Sequence, residues 1–376
     1  MLVSGNTDFA VDLFQELGQP DRNLFFSPYS ISLGLAMAYA GAEGDTRFGM
    51  AGALHYNLFG ETLHTAFNRL DLILEERQNV NTGIVPPPLL YMANALWAPP
   101  DPTFLPGYLD TLAVHYGAGV HLADFEAAPE AAGEAINRWV SDRTEGLIPH
   151  LLDSGTISAH TRLVLVNALY FQAYWHLPFD PDSTRDAPFF LPDGEENTVA
   201  LMTRKERYGY DQGTDYQAVA LPYAGEDLAM VILLPEPGRR ISFEEGLTGR
   251  QVRAICDSLV PELVRVYLPR FTLTPEAIRL DAPLSRMGMA GAFTESADFS
   301  GMDGRRDLFI TNVTHKSFVS VDEFGTEASA ATGVIVGPTS GTPLYTVRAD
   351  RPFLFLIRDM ETGTVLFMGR VADPGP

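Results

Sequence analysis

Residues 325–343 read GTEASAATGVIVGPTSGTP, a stretch whose single charged side chain is Glu327. It is poor in large side chains before Val334, and Gly337, Pro338, Gly341 and Pro343 then make it turn-prone. No proline falls between Gly325 and Gly337, so every amide in that span can still join a β-ladder. From Glu323 to Pro352 neither a helical period nor a full strand pattern is legible. Unstructured connections longer than about 12–15 residues are uncommon in compact domains and are usually functional or disordered. The segment therefore marks a loop, about residues 325–351, around which the remaining chain must be organised.

Working outward, both flanks read as strands: Phe318–Val321 before the loop, then Phe353–Ile357 and Thr364–Met368 after it. Further strands are expected at Leu163–Phe171, Leu228–Leu234 and Val264–Leu273, several of them unbroken apolar runs that require cover on both faces. The first half is more helical. Ser27-Pro28 supplies a hydroxyl N-cap with proline in the first turn, and the following run is apolar on nearly all sides until Gly41, which reads as a C-terminal cap. A helix apolar all round is buried on all sides. Phe9, Leu13, Phe14 and Leu17 give an amphipathic N-terminal helix, another is expected around Ala131–Val140, and proline clusters at 86–88 and 99–106 mark loops. Helices mostly early and strands mostly late make this an α+β chain, with no linker or repeat to divide residues 1–376 into separate domains.

Composition narrows the function. The 26 Lys and Arg against 48 Asp and Glu leave a formal charge of −22, a surface that repels phosphate backbones and anionic lipid, so neither nucleic acid nor membrane is expected as a partner. The longest apolar run, Ile31–Ala40, is too short to span a bilayer, and no basic region opens a signal peptide. A chain with one cysteine, Cys256, has no internal disulfide and can work on either side of a membrane, so localisation stays open. The eight histidines are scattered without helical metal spacing, so no metal and no cofactor is expected. No nucleophile elbow, phosphate loop or zinc helix occurs, which argues against an enzyme, although a catalytic triad assembled only in three dimensions leaves no local signature.

Four stretches then resemble the serpin family in order and spacing: NLFFSPYSISLGLAMAYAGAEGDT (23–46), LVNALYFQAYWHLPFD (165–180), VTHKSFVSVDEFGTEASAAT (313–332) and RPFLFLIRDMETGTVLFMGRV (351–371). INRWVSDRTEGLIPHLL (136–152) and VYLPRFTL (266–273) are weaker matches between them. The resemblance implies a single serpin domain of three β-sheets and eight or nine helices carrying an exposed reactive-centre loop. It implies a monomeric, metastable inhibitor rather than an enzyme. A target serine protease cleaves the loop as a suicide substrate; the loop then inserts as a strand into the central sheet, and the protease remains joined as an acyl-enzyme. Such strand addition with release of stored strain is a general device of this family. A cysteine protease is an admissible target too, since the trap does not depend on which nucleophile attacks.

The resemblance also assigns residues. The hinge is Gly325, Thr326, Glu327, Ala328, Ser329, Ala330, Ala331 and Thr332. With Thr326 facing inward, so do Ala328, Ala330, Thr332, Val334 and Val336, none of them charged, while Glu327 falls on the other face. Counting from Glu323, the cleaved bond is Thr339–Ser340, to within a residue or two. A small Thr339 after Pro338 suits an elastase- or chymotrypsin-like protease and not a trypsin-like one, because no Arg or Lys lies between Lys316 and Arg348. Ser27, Ser30, Asn167 and His315 resemble the polar shutter beneath the opening sheet, and Trp175, Glu323 and Arg270 the breach at its top, with Arg270 able to pair with the glutamate. Asn312-Val313-Thr314 matches a glycosylation sequon but falls in a core strand and is discounted. Residues 61–77 mix acids with few bases, so glycosaminoglycan activation is not expected. The competing reading is a non-inhibitory serpin acting as carrier, chaperone or storage protein, against which the small, uncharged inward face of the hinge argues.

Overall fold

The computed structural model describes residues 1–80, 83, 85–101, 103–274, 276–326 and 345–375. Glu327–Thr332 of the hinge and the Thr339–Ser340 bond lie outside the described residues. Among those described are ten α-helical segments, eight of them seven residues or longer, and sixteen strands.

The strands form two hydrogen-bonded arrays. One has seven strands, and the pair Leu163–Tyr174 and Ile310–Val321 lies parallel near its middle, in register from Leu163 opposite Ile310 to Tyr170 opposite Phe318. Leu89–Ala98 runs antiparallel along the other side of Leu163–Tyr174, with Asn94 opposite Asn167. The other array has nine strands joined through the 17-residue strand Glu196–Gln212. Residues 196–210 of that strand pair with Arg185–Phe190 and Val260–Pro269, whereas 209–212 pair with Tyr216–Pro222. One long strand thus belongs to two sheets, which with the seven-stranded array makes three.

Alternation explains why the seven-stranded sheet is covered twice. On Leu163–Tyr174, residues Leu163, Leu165, Leu169 and Phe171 join the main core, while Val164, Val166 and Ala168 pack in a second cluster with Ile136 and Val140 of the helix Pro129–Arg143. Asn167 is the polar interruption in the inner series. The helix Pro28–Tyr39 is buried at all twelve positions, the outcome its uniformly apolar sequence demands. Its N-cap is Ser27, whose hydroxyl accepts from the Ser30 amide. Gly41, however, is not a left-handed cap: the helix ends at Tyr39, and Gly41 is not among the positive-φ glycines. A Cβ there would lie 2.2 Å from Met302 Cγ, so the residue is small for close packing.

Two further expectations change. Leu89–Ala98, between the proline clusters, is a full strand whose mixed pattern did not announce it. The span from Glu323 to Pro352 is not without structure at its ends, because Gly325–Thr326 and Tyr345–Arg348 both join sheets. Asn312 lies buried within Ile310–Val321, beyond reach of a glycosylating enzyme in the folded chain.

Candidate functional site

Five polar residues, four of them buried, meet where the parallel pair is closed. Asn94, Asn167 and His315 occupy one level across three neighbouring strands, and Ser27 and Ser30 reach them from the start of the buried helix. The Ser27 amide donates to His315 Nε2 at 3.1 Å, so Nε2 must be the unprotonated nitrogen and Nδ1 carries the hydrogen, which it donates to Asn167 Oδ1. Asn167 Nδ2 in turn donates to Ser30 Oγ at 2.7 Å and to Asn94 Oδ1, and Ser30 Oγ donates to Asn94 Oδ1 at 2.9 Å. Ser27 Oγ donates to the Leu366 carbonyl at 2.6 Å, tying the cluster to the second sheet. Burial pushes the His315 pKa down to about 3, against a small upward pull from Asn167. The ring is neutral at working pH, and both its nitrogens are committed.

The top of the same pair is built differently. Asp322 begins a tight turn: its Oδ1 accepts from the amides of Phe324 and Gly325 at 2.8 and 3.1 Å, and its own amide donates to the Gly325 carbonyl at 3.0 Å. The turn sends Gly325–Thr326 back between the two central strands. Thr326 lies opposite Val321 on one side and Ala173 on the other, antiparallel to both. Gly325 permits this approach, since a Cβ would stand 2.1 Å from the Ala173 carbonyl oxygen. Thr326 is fully buried, and its Oγ1 is 2.7 Å from the Tyr223 hydroxyl.

Glu323 is buried to 2 % exposure beside this turn. Arg270 grips its carboxylate from Nε and Nη2 at 2.6–2.9 Å, and Thr184 Oγ1 donates at 2.5 Å. Burial alone would push the carboxyl up, but the Arg270 and Thr184 hydrogen bonds outweigh it and hold the group below its ordinary value. Trp175 Nε1 donates to the Asp322 carbonyl at 2.9 Å, the Trp175 amide donates to Phe324 O at 2.8 Å, and the indole stacks on Tyr223 with centroids 4.6 Å apart.

The structure therefore gathers Ser27, Ser30, Asn167 and His315 in one cluster and Trp175, Glu323 and Arg270 in another. Asn94, Thr184, Asp322 and Tyr223 belong to these clusters and escaped the sequence reading. Tyr223 is 103 residues from Thr326 in the chain, and no local pattern in LPYAGED signals that meeting. Among the described residues no helix is long and apolar enough to cross a membrane, and no three His, Cys, Asp or Glu side chains are grouped to hold a metal ion. Cys256 is a buried free thiol.

The comparisons agree on what such a sheet belongs to. The family model described as Serpin (serine protease inhibitor) matches residues 4–374. The leukocyte elastase inhibitor of Bos taurus is 42% identical over 384 residues, covering 99% of each chain, and that of Homo sapiens is 40% identical over 385, again with 99% of each covered. The crystal structure of uncleaved ovalbumin superposes with a TM-score of 0.86 at 27% identity, over 99% of this chain and 100% of that one. The native-state structure of a thermophilic serpin, tengpin, gives 0.87 at 28% identity, over 99% and 94%. The chain belongs to the serpin family, described as one of serine protease inhibitors and not of enzymes.

Proposed function

We propose that this chain, residues 1–376 acting as one serpin domain, is an inhibitory serpin that traps an elastase- or chymotrypsin-like serine protease as a suicide substrate. The observation that carries the reading is the seat of Thr326. The first inward hinge residue already lies between the two strands that an inserting loop must separate, antiparallel to each. Continuing that register by simple counting would bring Ala328 level with Phe171 and Val319, Ala330 with Leu169 and Ser317, Thr332 with Asn167 and His315, and Val334 with Leu165 and Val313. Every inward residue is small or apolar, and the one hydroxyl beyond Thr326, that of Thr332, arrives where the polar cluster would lose its cross-strand bond.

In the reaction, the protease serine oxygen attacks the Thr339 carbonyl and the Thr339–Ser340 peptide bond breaks. The proton lost by the serine leaves with the Ser340 amine, and an ester joins the protease to Thr339. The freed loop extends from Thr326 downward as the parallel pair parts. About ten residues gaining ~0.5–1.5 kcal/mol per hydrogen bond, with apolar burial added, yield on the order of 10 kcal/mol, which rivals the stability of an ordinary domain. The small Thr339 and the relatives named leukocyte elastase inhibitors both support an elastase-like target.

Incubation with elastase and with chymotrypsin, followed by denaturing electrophoresis and mass measurement of the released C-terminal peptide, tests this. The reading expects a stable complex and a peptide beginning at Ser340. Cleavage without complex across a wider protease panel would transfer the chain to the carrier, chaperone or storage class.

A further inference from the structure

We propose that Tyr223 is a positioning residue for loop insertion, its hydroxyl holding Thr326 in the seat from which the strand grows. The inference rests on the insertion reading above and adds to it the group that sets the starting point.

Tyr223 has no freedom to point elsewhere. It is fully buried, its ring is stacked on Trp175 at 4.6 Å and 8°, and Phe171 meets it edge-on at 5.1 Å. Its backbone bridges to Trp175 and its amide donates to the Leu228 carbonyl at 2.9 Å. The hydroxyl is therefore presented by the nine-stranded array at a fixed height beneath the gap, 2.7 Å from Thr326 Oγ1. Burial keeps the phenol neutral far above working pH, so the bond does not titrate.

The backbone contacts of Gly325–Thr326 amount to one residue opposite Val321 and two opposite Leu163–Tyr174. A two-residue strand is a weak element on its own, since fixing each backbone residue costs conformational entropy comparable to what its hydrogen bonds return. The Tyr223 hydroxyl supplies the bond that tilts the balance toward the seated hinge, and it does so on the side chain that faces the core. A protease that attacks a seated loop triggers extension of an existing rung. One that attacks an unseated loop must wait for the rung to form while water competes for the acyl-enzyme. Trapping against turnover is a race between those two rates, so seating is read in the stoichiometry of inhibition.

The test uses the full chain as Tyr223→Phe, Thr326→Val and the double variant. Tyr223→Phe keeps the ring and its stack on Trp175. Two readouts are taken: native-state hydrogen exchange of the 324–326 amides, and moles of inhibitor consumed per mole of elastase trapped. Each single variant is expected to raise exchange and stoichiometry about fivefold, the factor for one neutral hydrogen bond, and the double variant no further than either single. A merely structural tyrosine would lower the unfolding midpoint without moving stoichiometry, and that result overturns the proposal. So does a double variant whose effects add, or exchange at the wild-type rate in Tyr223→Phe. If the wild type traps no protease, the function proposed above fails, while the exchange arm still decides whether the hydroxyl seats Thr326.

Discussion

The two ends of one strand pair are held by opposite means. At the level of Asn94, Asn167 and His315 the parallel ladder is continuous, and side chains from three strands and a buried helix lock it with neutral hydrogen bonds. At the top the same strands are already parted, with Thr326 between them and a gripped carboxylate, Glu323, anchoring the turn. In the lower site the bond from His315 Nδ1 to Asn167 Oδ1 holds only while the strands touch. In the upper site a charge pair anchors the turn, and Gly325 and Thr326 fit only where the strands are apart. On the insertion reading proposed above, such a sheet opens from its upper end and the neutral lock sets the resistance to that opening.

The sharpest way to break that contrast is to make the lock unable to accept the loop. Thr332→Arg would bring an unpaired charge level with His315, and burying such a charge costs several kcal/mol. Complex formation should fall more than tenfold while cleavage of the loop continues, read on denaturing gels. A variant that trapped as well as wild type would break the counted register.

The upper anchor comes next. Glu323→Ala removes two charge-assisted partners and leaves Thr184 and Arg270 to water, so the turn should lose about 1.5–3 kcal/mol in denaturant unfolding and release Thr326 to faster hydrogen exchange. Local exchange unchanged at 324–326 would mean that the turn stands without its carboxylate.

The smallest effect probes the lock itself through pH. His315 titrates near 6.5 in the unfolded chain and near 3 when folded. The unfolded state therefore binds the extra proton first, and stability contributed by the neutral ring is complete above pH 6.5 and lost progressively as pH falls toward 3. His64, pushed down to about 4 by burial, acts in the same direction. Between pH 6.5 and 5.5 the loss is about 1 kcal/mol for His315, and the variant His315→Gln should lack that share in urea titrations. An equal slope in both proteins would show that the ring is not held neutral.

How much of this was legible in the sequence depends on distance. The Ser27-Pro28 helix start, its all-round burial and the doubly covered strands follow from local pattern and came through, because capping and periodicity act within a few residues. The Arg270–Glu323 pair and the four shutter residues could be named only through family resemblance. Asn94 and Tyr223 were out of reach even then. Each acquires its role from a partner more than sixty residues away, and nothing in its own neighbourhood distinguishes it from a packed core residue. Gly41 shows the converse error, a glycine assigned to backbone conformation whose reason is a tertiary contact with Met302. The two-residue strand at Gly325–Thr326 is too short for any period to show.

The most direct test of an opening sheet needs no target at all. Cutting the loop once, with any protease that cleaves between Thr332 and Pro343 without being trapped, frees it to insert. A gain of about 10 kcal/mol against an unfolding entropy of about 0.8 kcal/mol/K for 376 residues raises the midpoint by about 13 °C. Calorimetry of the purified cleaved protein should show that rise or more. A cleaved protein that melts with the intact one would contradict insertion between Leu163–Tyr174 and Ile310–Val321.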